Sequence, residues 1–190
     1  MPSFTSIVQN NRIENEAYRI FSLLKTTRNS AITSNRRHFL CRSDNALSNE
    51  DGTGAACASA GLTNFDWNND LLVYGLLAGD PDTVPNANFN NQRLQEVGSA
   101  DTDLIKQQMV VNVSAAGNDG VDIIASSGDN VFVFTPEGAL LNDAPIHIAV
   151  CDERDDPEEY GQLITINTAG LIRLSNTDAT DSDLDCTPNA

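Results

Sequence analysis

Between Phe4 and about Ser34 the apolar residues Ile13, Ala17, Ile20, Phe21, Leu24, Ala31 and Ile32 recur at helical spacings of three, four and seven. That rhythm predicts one long helix with an apolar stripe, and the stripe should lie on a sheet. Arg12, Glu16, Arg19, Lys25 and Asn29 fall off it. Pro2 stands just ahead, where a first helical turn tolerates proline. Past residue 36 the period shortens to β-type runs: Arg37–Arg42, Asp70–Leu77, Ile105–Val113, Val121–Ala125, Asn130–Thr135, Ile146–Cys151, Gln162–Asn167 and Leu171–Ser175. Turn chemistry punctuates them, as at Thr135-Pro136-Glu137-Gly138 and Asn167-Thr168-Ala169-Gly170. Strand follows strand with no helical pattern between, which predicts antiparallel pairing and the α+β class. The expected plan is one domain over residues 1–190. It has a helix at about 4–34, a β-rich head at about 37–175 and an acidic tail at 176–190. Two polar stretches, Ser43–Phe65 and Gly79–Thr102, are long enough that loops of their length are usually functional or disordered.

Charge alters this picture more than overall composition does. The 190 residues carry 11 Lys+Arg against 27 Asp+Glu, a formal net charge of −16. Residues 1–45 hold seven basic and three acidic side chains, whereas residues 46–190 hold four basic and 24 acidic ones. A basic helix therefore joins an acidic head. Phosphate contacts need clustered Lys and Arg, so nucleic acid is not an expected partner. No apolar run approaches the ~20 residues of a membrane helix. Met1 reads as a start placed before a fragment whose upstream segment was removed.

Candidate chemistry is sparse. His38 and His147 both sit in apolar strand-like runs, and no GxSxG, Walker, GxGxxG or HExxH pattern frames a site. An enzyme is disfavoured. The four cysteines, Cys41, Cys57, Cys151 and Cys186, show no CxxC spacing, so a zinc site is not expected. Three disulfide pairings are possible, and Cys41–Cys57 with Cys151–Cys186 closes the smaller loops. An oxidising compartment fits four cysteines with polar flanks. Two acidic clusters stand out, Asp152 to Glu159 and Asp178 to Asp185. The alternation Asp181, Asp183, Asp185 could offer oxygens to calcium, but it lacks the glycine and closing glutamate of an EF-hand, so a solvated acidic loop is the simpler reading. No other cofactor is implied. Trp67 reads as a structural anchor.

The order of these features resembles the minor type IV pilins and their type II secretion counterparts, the FimT/FimU and pseudopilin H group. Pro2-Ser3-Phe4 and Asn11-Arg12 look like the passage from a pilin's hydrophobic anchor into its soluble helix. Thr27-Arg28-Asn29-Ser30-Ala31-Ile32-Thr33-Ser34-Asn35 is similar to the family segment A-R-S-E-A-I-x-R-N, with Asn29, Ser30 and Ser34 standing where the family has Ser, Glu and Arg. Phe39-Leu40-Cys41-Arg42-Ser43, then Cys57, Trp67 and Leu71-Leu72-Val73-Tyr74 resemble its strand–Cys–loop–Cys–Trp–strand run. Val133-Phe134-Thr135-Pro136-Glu137-Gly138 resembles its F-x-P-x-G turn, and Ile148 to Cys151 with Leu163 to Arg173 its last two strands.

The resemblance implies a pilin-like fold, a helix packed on antiparallel sheet, with Cys41–Cys57 and Cys151–Cys186 paired. It also implies an inner-membrane anchor, a periplasmic head and later a place in an extracellular fibre of a Gram-negative bacterium. The expected partners are other minor and major pilins or pseudopilins. Within the family, a minor pilin near the tip of a type IV pilus that helps prime assembly is preferred to a secretion pseudopilin, because long loops carry recognition. DNA capture is associated with a G-R-x-R motif, whose positions here read Gly170-Leu171-Ile172-Arg173. With one arginine replaced by leucine in an acidic head, DNA uptake is the least expected role. Arg12 and Arg19, on one helix face, are the candidate partner-binding residues.

Overall fold

A computed structural model describes residues 4–43, 70–76, 104–111, 121–125, 131–141, 144–152 and 161–176. The chain opens with α1 (Phe4–Ser34), followed among the described residues by β1 (His38–Ser43), β2 (Asp70–Leu76), β3 (Leu104–Val111), β4 (Val121–Ala125), β5 (Val131–Phe134), β6 (Ile146–Asp152), β7 (Gln162–Ile166) and β8 (Ile172–Asn176). Helix and strands fall where the periodicity places them, with ends displaced by no more than two residues. The α+β class and the pilin-like plan are observed.

The strands form two four-stranded antiparallel sheets, in the orders β3-β2-β1-β5 and β4-β6-β7-β8. Register follows the alternation of side chains. Leu40 faces Val73 on one side and Phe132 on the other. Ile148 faces Ile164, which faces Leu174. The helix lies against both sheets, touching β1, β2 and β5 of the first and β6, β7 and β8 of the second. One core results, in which Ile13, Ala17, Ile20, Leu23, Leu24 and Ala31 meet Leu40, Phe132, Phe134, Ile148, Val150, Ile164 and Ile166. Ile124, Ala149, Cys151 and Leu163 make a smaller cluster on the other face of the second sheet.

Two stripe positions need correction. Ile32 is 41% exposed rather than in the core, and Phe21 is half-buried at the core's margin. Leu23 and Thr27 are buried instead, Thr27 because its hydroxyl donates to the Leu23 carbonyl at 2.8 Å and so needs no water. The buried arc is thus rotated towards Leu23. The helix ends on Asn35, whose φ of 54° is left-handed. Arg36 N–H donates to Ala31 O and Asn35 N–H to Ile32 O, the paired bonds of a Schellman stop.

Candidate functional site

Away from the core, α1 presents two surfaces. Phe4 (82% exposed), Ile7 and Tyr18 are exposed, and Lys25 Nζ stands 4.1 Å from the centroid of the Phe21 ring. That cation shields the exposed side of a half-buried aromatic. On one flank lie Arg12 and Arg19, seven residues apart and so on one side of the helix. They are not equivalent. Arg12 is exposed, whereas Arg19 is half-buried with Nη1 3.5 Å from Glu16 Oε1, an ion pair within its own helix.

At the upper end of α1 three segments distant in sequence meet. Thr135–Gly138 and Asn167–Gly170 are turns of one design: the Gly138 N–H donates to Thr135 O and the Gly170 N–H to Asn167 O, each at 2.8 Å. Each places a glycine in the left-handed region, φ 79° at Gly138 and 74° at Gly170, as hairpins of this length require. The turns are nested. A Cβ on Gly170 would fall on the Gly138 carbonyl oxygen. That oxygen accepts from Arg28 Nε at 2.9 Å, and the Leu140 N–H donates to Thr168 O at 3.0 Å. Ile32, one helical turn beyond Arg28, lies on Gly138 so closely that a Cβ there would come within 2.6 Å of its Cδ1. Glu137, exposed at the tip of the first turn, has its carboxyl held below the usual range by the Thr135 hydroxyl, its own backbone N–H and the nearby Arg37 charge. Exposed Leu171 flanks this joint on the side of the second turn.

The histidines lie on different sheets. His38 is buried at the start of β1, with Nδ1 3.3 Å from the Arg36 carbonyl oxygen. Burial pushes its pKa down, the contact with that carbonyl opposes this, and the Arg36 charge adds to the lowering. His147 is half-buried in β6, opposite Thr165 of β7. Among the described residues no three His, Cys, Asp or Glu side chains gather as a metal site. Cys41 and Cys151 are buried in β1 and β6, and neither is a free thiol. Cys57, Cys186, Trp67, the calcium candidates Asp181, Asp183 and Asp185, and the two polar stretches beyond Ser43 lie outside the described residues.

Sequence reasoning had no physical role for Arg28, Gly138 and Gly170. Their signal was the repeated turn spacing and the motif-like segments that contain them, which the fold brings to one place. Comparison with known proteins supplies a frame for that convergence. The family model described as Type II transport protein GspH matches residues 16–170. In fold, the chain is similar to the type IV minor pilin FimU of Pseudomonas aeruginosa strain PAO1, crystallised in space group P21. The two are 16% identical over 89% of this chain and 92% of FimU, with a TM-score of 0.53. The minor pseudopilin EpsH from the Type 2 Secretion System of Vibrio cholerae aligns at 14% identity over 86% of this chain and 96% of EpsH, with a TM-score of 0.45. Among curated protein sequences none matches significantly.

Proposed function

The chain belongs to the GspH family of type II transport proteins, and we propose that it serves there as a minor pilin of a type IV pilus, incorporated near the tip and helping to prime assembly. The coarser identity does not depend on that choice: it is a minor pilin or minor pseudopilin of the GspH/FimU type. Its role is structural rather than catalytic. One observation carries the pilus assignment. Adjacent antiparallel strands need only two to five connecting residues, yet β1–β2 are joined by residues 44–69 and β2–β3 by residues 77–103. Chain of that length on consecutive connections of one sheet suits a subunit exposed on a fibre, where loops carry recognition.

In the intact protein an upstream apolar helix would hold this head on the periplasmic side of the inner membrane until assembly. Its partners would be other pilins, met in part through Arg12 and Arg19. Cys41 would pair with Cys57 and Cys151 with Cys186, stapling each sheet to a neighbouring segment at ~3 kcal/mol per loop. Non-reducing peptide mapping tests the pairing, and a Cys41–Cys186 peptide would refute it.

Deleting the gene in its host and restoring it discriminates the roles. Loss of surface pili and twitching, with secretion of exoproteins intact, is the expected result. Lost secretion with normal pili would transfer the chain to the alternative role, a minor pseudopilin of the secretion apparatus. Retarded duplex DNA in a gel-shift assay at physiological salt would instead favour DNA uptake.

A further inference from the structure

The nested turns at the top of α1 have a consequence independent of which fibre the chain enters. Along most of its length the helix meets the sheets through apolar side chains, Ile13, Ala17, Ile20, Leu23 and Leu24 among them. Such contacts are non-directional, and they tolerate small slides and rotations as long as area stays buried. The upper joint is different in kind. Arg28 Nε reaches the carbonyl of Gly138, which lies beyond β5 of the first sheet, while that same carbonyl sits against Gly170 between β7 and β8 of the second. One guanidinium thus addresses a backbone oxygen at which the turns of both sheets meet.

We propose that Arg28 is a positioning residue: through the Gly138 carbonyl it locks the helix to both sheets at one angle, so that helix and head move as one body. The planar Nε–H has one direction, set by the stem from α1, and Ile32 pins Gly138 from the next helical turn. Neither glycine can be replaced by a residue with a side chain without moving one of these partners. The lock is local. Without Arg28 the two turns keep the Leu140 N–H to Thr168 O bond between them, and the helix end is left with the apolar contact of Ile32 on Gly138.

Hydrogen exchange followed by NMR on the whole chain separates this lock from a general contribution to stability. In Arg28→Met the amides of Leu140 and Gly170 should exchange at least about tenfold faster than in the parent, while those of Ile148 and Ile164 in the core change by less than about threefold. Residual dipolar couplings should also report a changed or averaged angle between α1 and the β6–β7 pair. Should Arg28→Met fail to fold, Arg28→Lys, which keeps the charge but not the directed Nε–H, should show the same selective acceleration to a smaller degree. An equal acceleration of all amides, or couplings that fit the parent orientation, would overturn the proposal.

Discussion

The middle and the top of the same helix are held by different physics. From Ile13 to Leu24 the attachment is apolar area, and each buried side chain is one of many. At Arg28 and Ile32 it is geometry, resting on one hydrogen bond and two left-handed glycines, of which Gly170 has backbone where a Cβ would stand. The lesson is that burial alone ranks positions poorly. Ile32 is more exposed than Phe21, yet it sits against a turn that could not be built otherwise.

The sharpest way to break the contrast is Gly170→Ala. Its Cβ would meet backbone, the Gly138 carbonyl, in addition to the cost of a left-handed φ. A loss above ~4 kcal/mol is expected in urea titration, at the upper end of what single changes do. Gly138→Ala has nearly the same φ but meets the end of the Ile32 side chain, which can turn away, so about 1–2 kcal/mol should suffice. Equal losses for the two alanines would show that φ strain, and not the nesting of the turns, dominates.

Truncation in the middle of the helix should fall between these. Leu24 is 0% exposed within the core, and Leu24→Ala is expected to cost ~3 kcal/mol, inside the range for buried leucines. Phe21→Ala should cost less, about 1–2 kcal/mol, because the ring is half-buried at the core's margin, with Lys25 over it. A loss at Phe21 equal to that at Leu24 would mean that the margin of the core is as well packed as its centre.

The two regions were not equally legible in the sequence. A period of three and four identified α1, and short apolar runs between turn residues located the eight strands among the described residues, because both signals are local. The buried arc was misjudged at Ile32 and Thr27, since a β-branched polar residue is readable as core only once its hydroxyl is seen to bond the preceding turn. Division into two sheets was beyond reach, as pairing joins residues such as Leu40 and Phe132 that pattern alone cannot match. Arg28 likewise carried no physical role in the sequence beyond its place in a family-like segment. Its role depends on a carbonyl 110 residues away. Spacing sets Arg12 and Arg19 on one side of the helix, but Glu16's claim on Arg19 shows only in three dimensions.

A smaller effect comes from His38. Burial holds its folded pKa below the ordinary 6.5, so below that pH the unfolded chain binds more protons than the folded one. The contribution is therefore complete above about pH 6.5 and is lost as pH falls towards the folded pKa. Denaturant midpoints measured from pH 7.5 to 5 should decline more steeply for the parent than for His38→Gln. Parallel declines would assign the acid sensitivity to other groups.

The smallest effect on stability, though not on assembly, is expected at the flank. Arg19 is already paired with Glu16 at 3.5 Å, and surface pairs within one helix contribute ~0–1 kcal/mol. Reversing both charges, Arg12→Glu with Arg19→Glu, should hardly change the unfolding midpoint. It places carboxylates where acidic heads of neighbouring subunits would approach, and long-range repulsion of this kind acts mainly on association rate and is screened by salt. Recovery of partner pilins by the charge-reversed protein should therefore fall several-fold at low ionic strength and return towards the parent's at high. Because Arg12 is more exposed than Arg19, Arg12→Glu alone should reproduce more of that loss than Arg19→Glu. Undiminished recovery at both ionic strengths would remove the flank from the assembly surface, and a larger loss from Arg19→Glu would show that the ion pair opens on contact.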